Sequence, residues 1–212
     1  MPDTIEALLV ACGETEWDAG GRLLGAADVP LTSAGREGVL ASLERLDELD
    51  LGLVLAAPDE ACGEAAGLIA DRAECKVRTL SGLVEPTAGL WEGMSREALA
   101  AKCTHAFSTW LEDPGLVVPP QGEGLAEAEQ RVLGSLSAAL DRVKTSRRAG
   151  GARVAIVLRP MALGIVLCWQ QSAGSDRLWS LSSAHRAAGG MSWATLDRER
   201  LRRTQQDVRA SA

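Results

Sequence analysis

A chain of 212 residues, 46% apolar and 24% charged, has the composition of an ordinary globular protein, and it is too apolar to stay disordered. Its length predicts one domain over residues 1–212 that buries roughly two-thirds to three-quarters of the unfolded chain's surface. The net charge of −7 argues against nucleic acid and anionic membrane surfaces as partners, because both attract basic patches.

Ile5 to Val10 is short, apolar and followed by Gly13, which predicts a buried strand ending in a turn. After a polar loop from Asp18 to Gly25, Thr32 or Ser33 can cap a helix carrying Val39, Leu40, Leu43, Leu46 and Leu49 at helical spacing. Leu51 to Ala56 reads as a second buried strand, Glu60 to Ala73 as an alanine-rich helix and Val77 to Leu80 as a third strand. Ser95 to Leu111 predicts one helix with Leu99, Cys103, Phe107 and Trp110 on its apolar side. Gly124 to Val143 gives the clearest helical stripe, through Val132, Leu133, Leu136 and Leu140. Val154 to Leu158 is apolar throughout, as a central parallel strand is. Ala162 to Gln171 then reads as a helix and Ser192 to Leu196 as a last, edge strand.

Strands alternating with helices predict an α/β fold, a mostly parallel sheet with helices on both faces. Ligands of such sheets gather beyond the C-terminal ends of the strands. That rim takes in Ala11 to Thr15, Ala57 to Ala61, Leu83 to Glu85 and Leu158 to Met161.

Five cysteines without CxxC spacing, and no basic-then-apolar leader, predict reduced thiols and a cytoplasmic location. The longest apolar stretch, Val154 to Trp169, is interrupted by Arg159 and Pro160 and is too short to span a bilayer. The five arginines between Asp197 and Arg209 alternate with acids and read as a solvated face or frayed end.

At the rim the sequence becomes specific. Cys12-Gly13-Glu14-Thr15-Glu16-Trp17-Asp18, then Gly21-Arg22, then Asp28-Val29-Pro30-Leu31-Thr32-Ser33-Ala34-Gly35 resembles the opening of the histidine phosphatase superfamily. That family reads Arg-His-Gly-Glu-Thr-x-Trp-Asn, Gly-Arg and Asp-x-Pro-Leu-Thr-x-x-Gly. Ala57-Pro58 resembles its Ser-Pro, Glu85 to Gly93 its Glu-x-x-x-Gly-x-Trp-Glu-Gly, and Gly122-Glu123 its Gly-Glu-Ser. The resemblance implies a three-layer α/β/α sandwich of the phosphoglycerate-mutase type. It also implies phosphoryl transfer to a histidine, with two arginines and a second histidine binding the phosphate and a glutamate as proton donor, without cofactor or metal.

Carried over position by position, the first arginine falls on Ala11, the nucleophilic histidine on Cys12, the second arginine on Ala61 and the second histidine on Arg159; the glutamate is kept as Glu85. The scaffold positions match while four of the five pocket residues are changed. Gly13, Thr15, Asp18, Arg22 and Pro160 are expected around this altered pocket. Arg159 and Glu85 are expected to pair and plug it, and Pro160, lacking an amide, to alter the loop where the family has glycine.

Cys12 invites an enzymatic reading, since a thiolate at a strand end can attack phosphate. Protein-tyrosine-type phosphatases, however, place an arginine where this chain has Asp18, so a small residue filling the histidine's space is the alternative. His105, expected in a helix, and His185, expected in a loop, lie away from metal-ligand spacing, and the six tryptophans are expected as core anchors. The sequence thus points to a pseudophosphatase with a binding or regulatory role, toward a protein or small-molecule partner or as a homodimer. The alternative is a phosphatase working through Cys12 or a water activated by Glu85.

Overall fold

In the computed structural model, which describes residues 3–46, 49–143 and 153–211, the first apolar run forms β1 (Thr4–Ala11). It leads through the short α1 (Glu16–Ala19) to α2 (Ser33–Glu44), capped by Thr32, whose hydroxyl accepts the Gly35 amide. β2 (Leu53–Ala56), α3 (Glu60–Ala73) and β3 (Lys76–Thr79) follow as the apolar pattern predicts. The expected helix over Ser95–Leu111 is two helices instead, α4 (Arg96–Lys102) and α5 (Thr104–Glu112). Cys103, at φ −125° and ψ 34°, leaves the helical region between them. The break lets α5 set Phe107 and Trp110 against Trp91, edge to face at 5.9 Å in both pairs.

α6 (Leu125–Leu140), β4 (Arg153–Leu158), α7 (Pro160–Gln171), α8 (Leu178–Ala187), β5 (Met191–Asp197) and α9 (Arg198–Ser211) complete the order. The strands lie in the order β3-β2-β4-β1-β5. The first four are parallel, with Leu9 opposite Ile156 and Leu55 also opposite Ile156, and β5 runs antiparallel at one edge. Consecutive side chains of β1 and β4 point to opposite faces, yet Ala7 to Val10 and Val154 to Leu158 are all fully buried. Both faces of the sheet are therefore covered, which makes three layers. No helix among the described residues is long and apolar enough to cross a membrane.

The arginine run is not merely solvated, as the sequence suggested. Arg198 pairs with Asp3 at 2.6 Å and donates to the carbonyls of Leu140 and Val143. Arg202 bridges Asp3 and Asp141, and Arg200 donates to the Trp169 carbonyl and lies over its ring. α9 is thus fastened to the chain's first strand and to the ends of α6 and α7. The side chain of Arg209 lies outside the described residues.

Candidate functional site

The C-terminal ends of β1, β2 and β4 meet at one rim, and the loop after β1 is fixed there by main-chain contact. A Cβ added to Gly35 would lie 2.2 Å from the Glu14 carbonyl oxygen, and one on Gly13 2.5 Å from that of Gly35. Only glycine permits this approach. Thr15 is wholly buried and forms a capping box with Asp18: its amide and hydroxyl donate to Asp18 Oδ2 at 3.0 and 2.8 Å. Arg22 donates to the Gly93 carbonyl at 2.7 Å. Glu92 accepts from the amides of Ala26 and Ala88 and from the Thr87 hydroxyl, tying the two rim loops together.

Beneath this loop the floor is ionic. Arg159 follows β4 and is completely buried. Its Nε pairs with Asp59 Oδ1 at 3.1 Å, and Nη2 donates to the Ala27 carbonyl at 3.2 Å. Asp59 owes its place to a second duty as the cap of α3, accepting the Cys62 amide at 3.1 Å. Burial works against the charged guanidinium, but Cys12, Asp59, Cys62 and Glu85 surround it, and together they raise its pKa. The expected Arg159–Glu85 ion pair is not formed. Asp59 takes the guanidinium because, as the cap of a helix that starts at this rim, it already faces the floor.

Glu85 instead caps α7. Its two carboxyl oxygens accept the amides of Met161 and Ala162 at 2.8 and 2.9 Å, in a first turn for which Arg159 supplies no side-chain cap. Pro160 stands at the first helical position, where the missing amide costs no hydrogen bond. It therefore starts a regular helix directly after Arg159. Burial pushes the Glu85 carboxyl up to about 7, although the two amides and Arg159 favour its charged form.

The predicted residues part into two clefts. Asp18, Arg22, Glu85 and Pro160 line one of about 90 Å³, walled also by Trp110 and Trp179. Ala11, Cys12 and Gly13 line another of about 340 Å³. Arg159, Ala61 and Thr15 line neither, being buried beneath the loops. Arg186 borders both clefts and Arg96 the first. His185 is on α8, not in a loop, and it is buried with Nδ1 3.3 Å from Ser192 Oγ; burial lowers its pKa. Among the described residues no three His, Cys, Asp or Glu side chains are grouped to hold a metal.

The profile of the histidine phosphatase superfamily (branch 1) fits residues 8–206. The chain belongs to that superfamily. It is 25% identical over 176 residues to phosphoserine phosphatase 1 of Hydrogenobacter thermophilus, covering 83% of this chain and 81% of that one. It is 29% identical over 163 residues to a probable phosphoglycerate mutase of Erwinia tasmaniensis, covering 77% and 73%. Among solved structures, YhfR of Bacillus stearothermophilus superposes with a TM-score of 0.73 at 26% identity, covering 83% of this chain and 84% of that one.

Against the superfamily pattern, sequence reasoning missed Asp59, Cys62, Arg96 and Arg186. Asp59 carried a usable signal, an acid directly before an alanine-rich helical run. The two arginines reach the cleft only through the packing of α4 and α8, and nothing in their spacing announces it.

Proposed function

We propose that this superfamily member does not hydrolyse phosphate monoesters and works by binding, as a pseudophosphatase with a regulatory role. The buried Arg159–Asp59 pair carries the reading. Phosphoryl transfer to a side chain needs a nucleophile together with converging, available cations. Where the resemblance puts both histidines and both arginines, the chain has Cys12, Arg159, Ala11 and Ala61. The one cation among them is spent on a buried carboxylate at 3.1 Å. A phosphate entering there would have to displace Asp59 and leave it buried without a partner, which is strongly unfavourable. The cleft beside it sets Arg22, Arg96 and Arg186 against Asp18, Glu85 and Glu123, with two tryptophans, so it offers a phosphate no surplus of cations. Five free thiols fit a cytoplasmic site of action.

The competing reading is hydrolysis by Cys12 or by a water that Glu85 activates. A carboxyl titrating near 7 is suited to acid–base work. Against it, Cys12 and Glu85 line different clefts. The test is steady-state hydrolysis of a panel of phosphate monoesters from acidic to neutral pH by the wild type, Cys12→Ala and Glu85→Ala, with inorganic phosphate binding measured by calorimetry. Turnover is expected to be absent from all three, and phosphate heat to be negligible. Turnover abolished by either substitution would make this chain an enzyme and end the proposal.

A further inference from the structure

The floor holds two thiols that the phosphatase pattern does not call for. Cys12 follows β1, its amide donating to the Leu158 carbonyl at 2.9 Å. Cys62 lies in the first turn of α3, its amide held by Asp59. Far apart in sequence, the two residues are brought to the same Arg159–Asp59 pair, Cys12 beside the strand end that leads into Arg159 and Cys62 on the Asp59 carboxylate, near enough to one another to interact. Cys12, 7% exposed, lines the larger cleft, whereas Cys62 has no exposed surface and lines neither cleft. The guanidinium of Arg159 acts on both sulfurs. Its Nη1 is buried without a hydrogen-bond partner, so a sulfur anion beside it would satisfy an orphaned charged donor.

We propose that Cys12 and Cys62 form a peroxide-oxidisable dithiol, with Cys12 the attacking sulfur and Cys62 the resolving one. The Cys12 thiolate attacks one peroxide oxygen and the O–O bond breaks. Cys12 becomes a sulfenic acid, and the other oxygen leaves as water after taking up a proton. The Cys62 sulfur then attacks the Cys12 sulfur, displacing its hydroxyl as a second water and forming the disulfide. In sum, two thiols and one hydrogen peroxide give one disulfide and two waters. The two electrons lost by sulfur reduce the peroxide.

The arrangement assigns the order of attack. Cys12 is the sulfur a small oxidant approaches from the cleft, whereas Cys62 offers it no surface. Burial pushes the Cys62 thiol well up, so it waits protonated until Cys12 is oxidised. The disulfide would tie the end of β1 to the start of α3 across the Arg159–Asp59 pair. None of this depends on whether the chain hydrolyses phosphate.

The test treats the wild-type protein with graded hydrogen peroxide, alkylates the remaining thiols, and maps the peptides by mass spectrometry without reductant. We expect the loss of two of the five thiols and a linked Cys12–Cys62 peptide, reversed by dithiothreitol. In Cys62→Ala, Cys12 should be trapped as a sulfenic acid by a 1,3-diketone probe. In Cys12→Ala, Cys62 should stay reduced at the same peroxide concentration. Five intact thiols in the wild type, disulfides among Cys75, Cys103 and Cys168 instead, or Cys62 oxidised equally without Cys12 would each overturn the proposal. The wild-type peptide map decides the matter even where a variant folds poorly.

Discussion

Residues 12 and 13 are neighbours in the chain, but the loop that begins at Gly13 and the floor that holds Cys12 are built on different physics. The loop is held by backbone against backbone: Gly35 meets Glu14 where a Cβ would sit 2.2 Å from an oxygen, and Thr15 and Asp18 cap one another. The floor is held by charge, a guanidinium facing Asp59 with Glu85 and two thiols around it. Close backbone approach admits glycine and nothing else. A buried polar floor requires only that its charges be neutralised, and arginines around a phosphate or an arginine against an aspartate both meet that requirement. The family pattern can therefore be kept in the loop and replaced beneath it within one fold.

The largest test of that contrast is removal of the cation. Arg159→Met should destabilise the protein by about 3–5 kcal/mol, because it strands the buried Asp59 carboxylate. Asp59→Asn keeps a side-chain oxygen for the α3 cap but strands the guanidinium. The double variant should recover most of the loss, and urea unfolding of all four proteins measures it. A single-variant cost no larger than that of a surface ion pair would show that the floor is not held by charge.

Glu85 sharpens the comparison because it belongs to both regions, capping α7 and facing Arg159. Its folded-state pKa of about 7 lies above the ordinary value of 4.5. Folding therefore takes up a proton between those limits. The contribution is fully present below 4.5 and is lost as pH rises through about 7, by up to about 3 kcal/mol. His185, whose pKa is lowered by burial, pulls the other way in part of this window. The informative quantity is thus the difference between wild type and Glu85→Gln: wild type should lose stability relative to the variant as pH rises. A relative gain would mean that the α7 amides and Arg159 outweigh burial.

In the loop the matching experiment is a pair of glycines in the same helix. Gly35→Ala must displace backbone and should cost about 1–3 kcal/mol. Gly38→Ala, where an added Cβ meets nothing within 4 Å, should stabilise α2 by about 0.5–1 kcal/mol. Chemical denaturation reads both. Equal effects would remove the argument that contact, rather than helix propensity, fixes Gly35.

The same division explains what the sequence made legible. Backbone-held features follow from local pattern: α3 has the bounds its alanine-rich run predicted, and Thr32 caps α2. Charge-held features do not, since the partner of Arg159 depends on which acids the strand ends bring together. Glu85 and Arg159 are the main charges left at the family's five pocket positions, which is why the sequence pairs them. Asp59 announces itself only by its place directly before a helical run that starts at the rim. The split at Cys103, the burial of His185 and the fastening of α9 are likewise products of packing between distant segments.

The fastening of α9 supplies the smallest expected effect and a control for the first prediction. Arg202 bridges Asp3 and Asp141 at 2.7 and 2.6 Å, distances shorter than that of the Arg159 pair, but all three side chains are well exposed. Hydrogen bonding from Arg202 holds the Asp3 carboxyl below its usual range, so this contribution exists above the ordinary carboxylate pKa and fades as pH falls through the lowered one. Water and salt screen such pairs. Arg202→Ala should move the thermal midpoint by at most about 2 °C, and the difference should shrink as salt is raised. The Arg159→Met deficit should be nearly independent of salt, because no ion reaches the buried pair. If both deficits responded to salt alike, burial would not be what separates the floor from the surface, and the resistance of the Arg159–Asp59 pair to an entering phosphate would lose its physical basis.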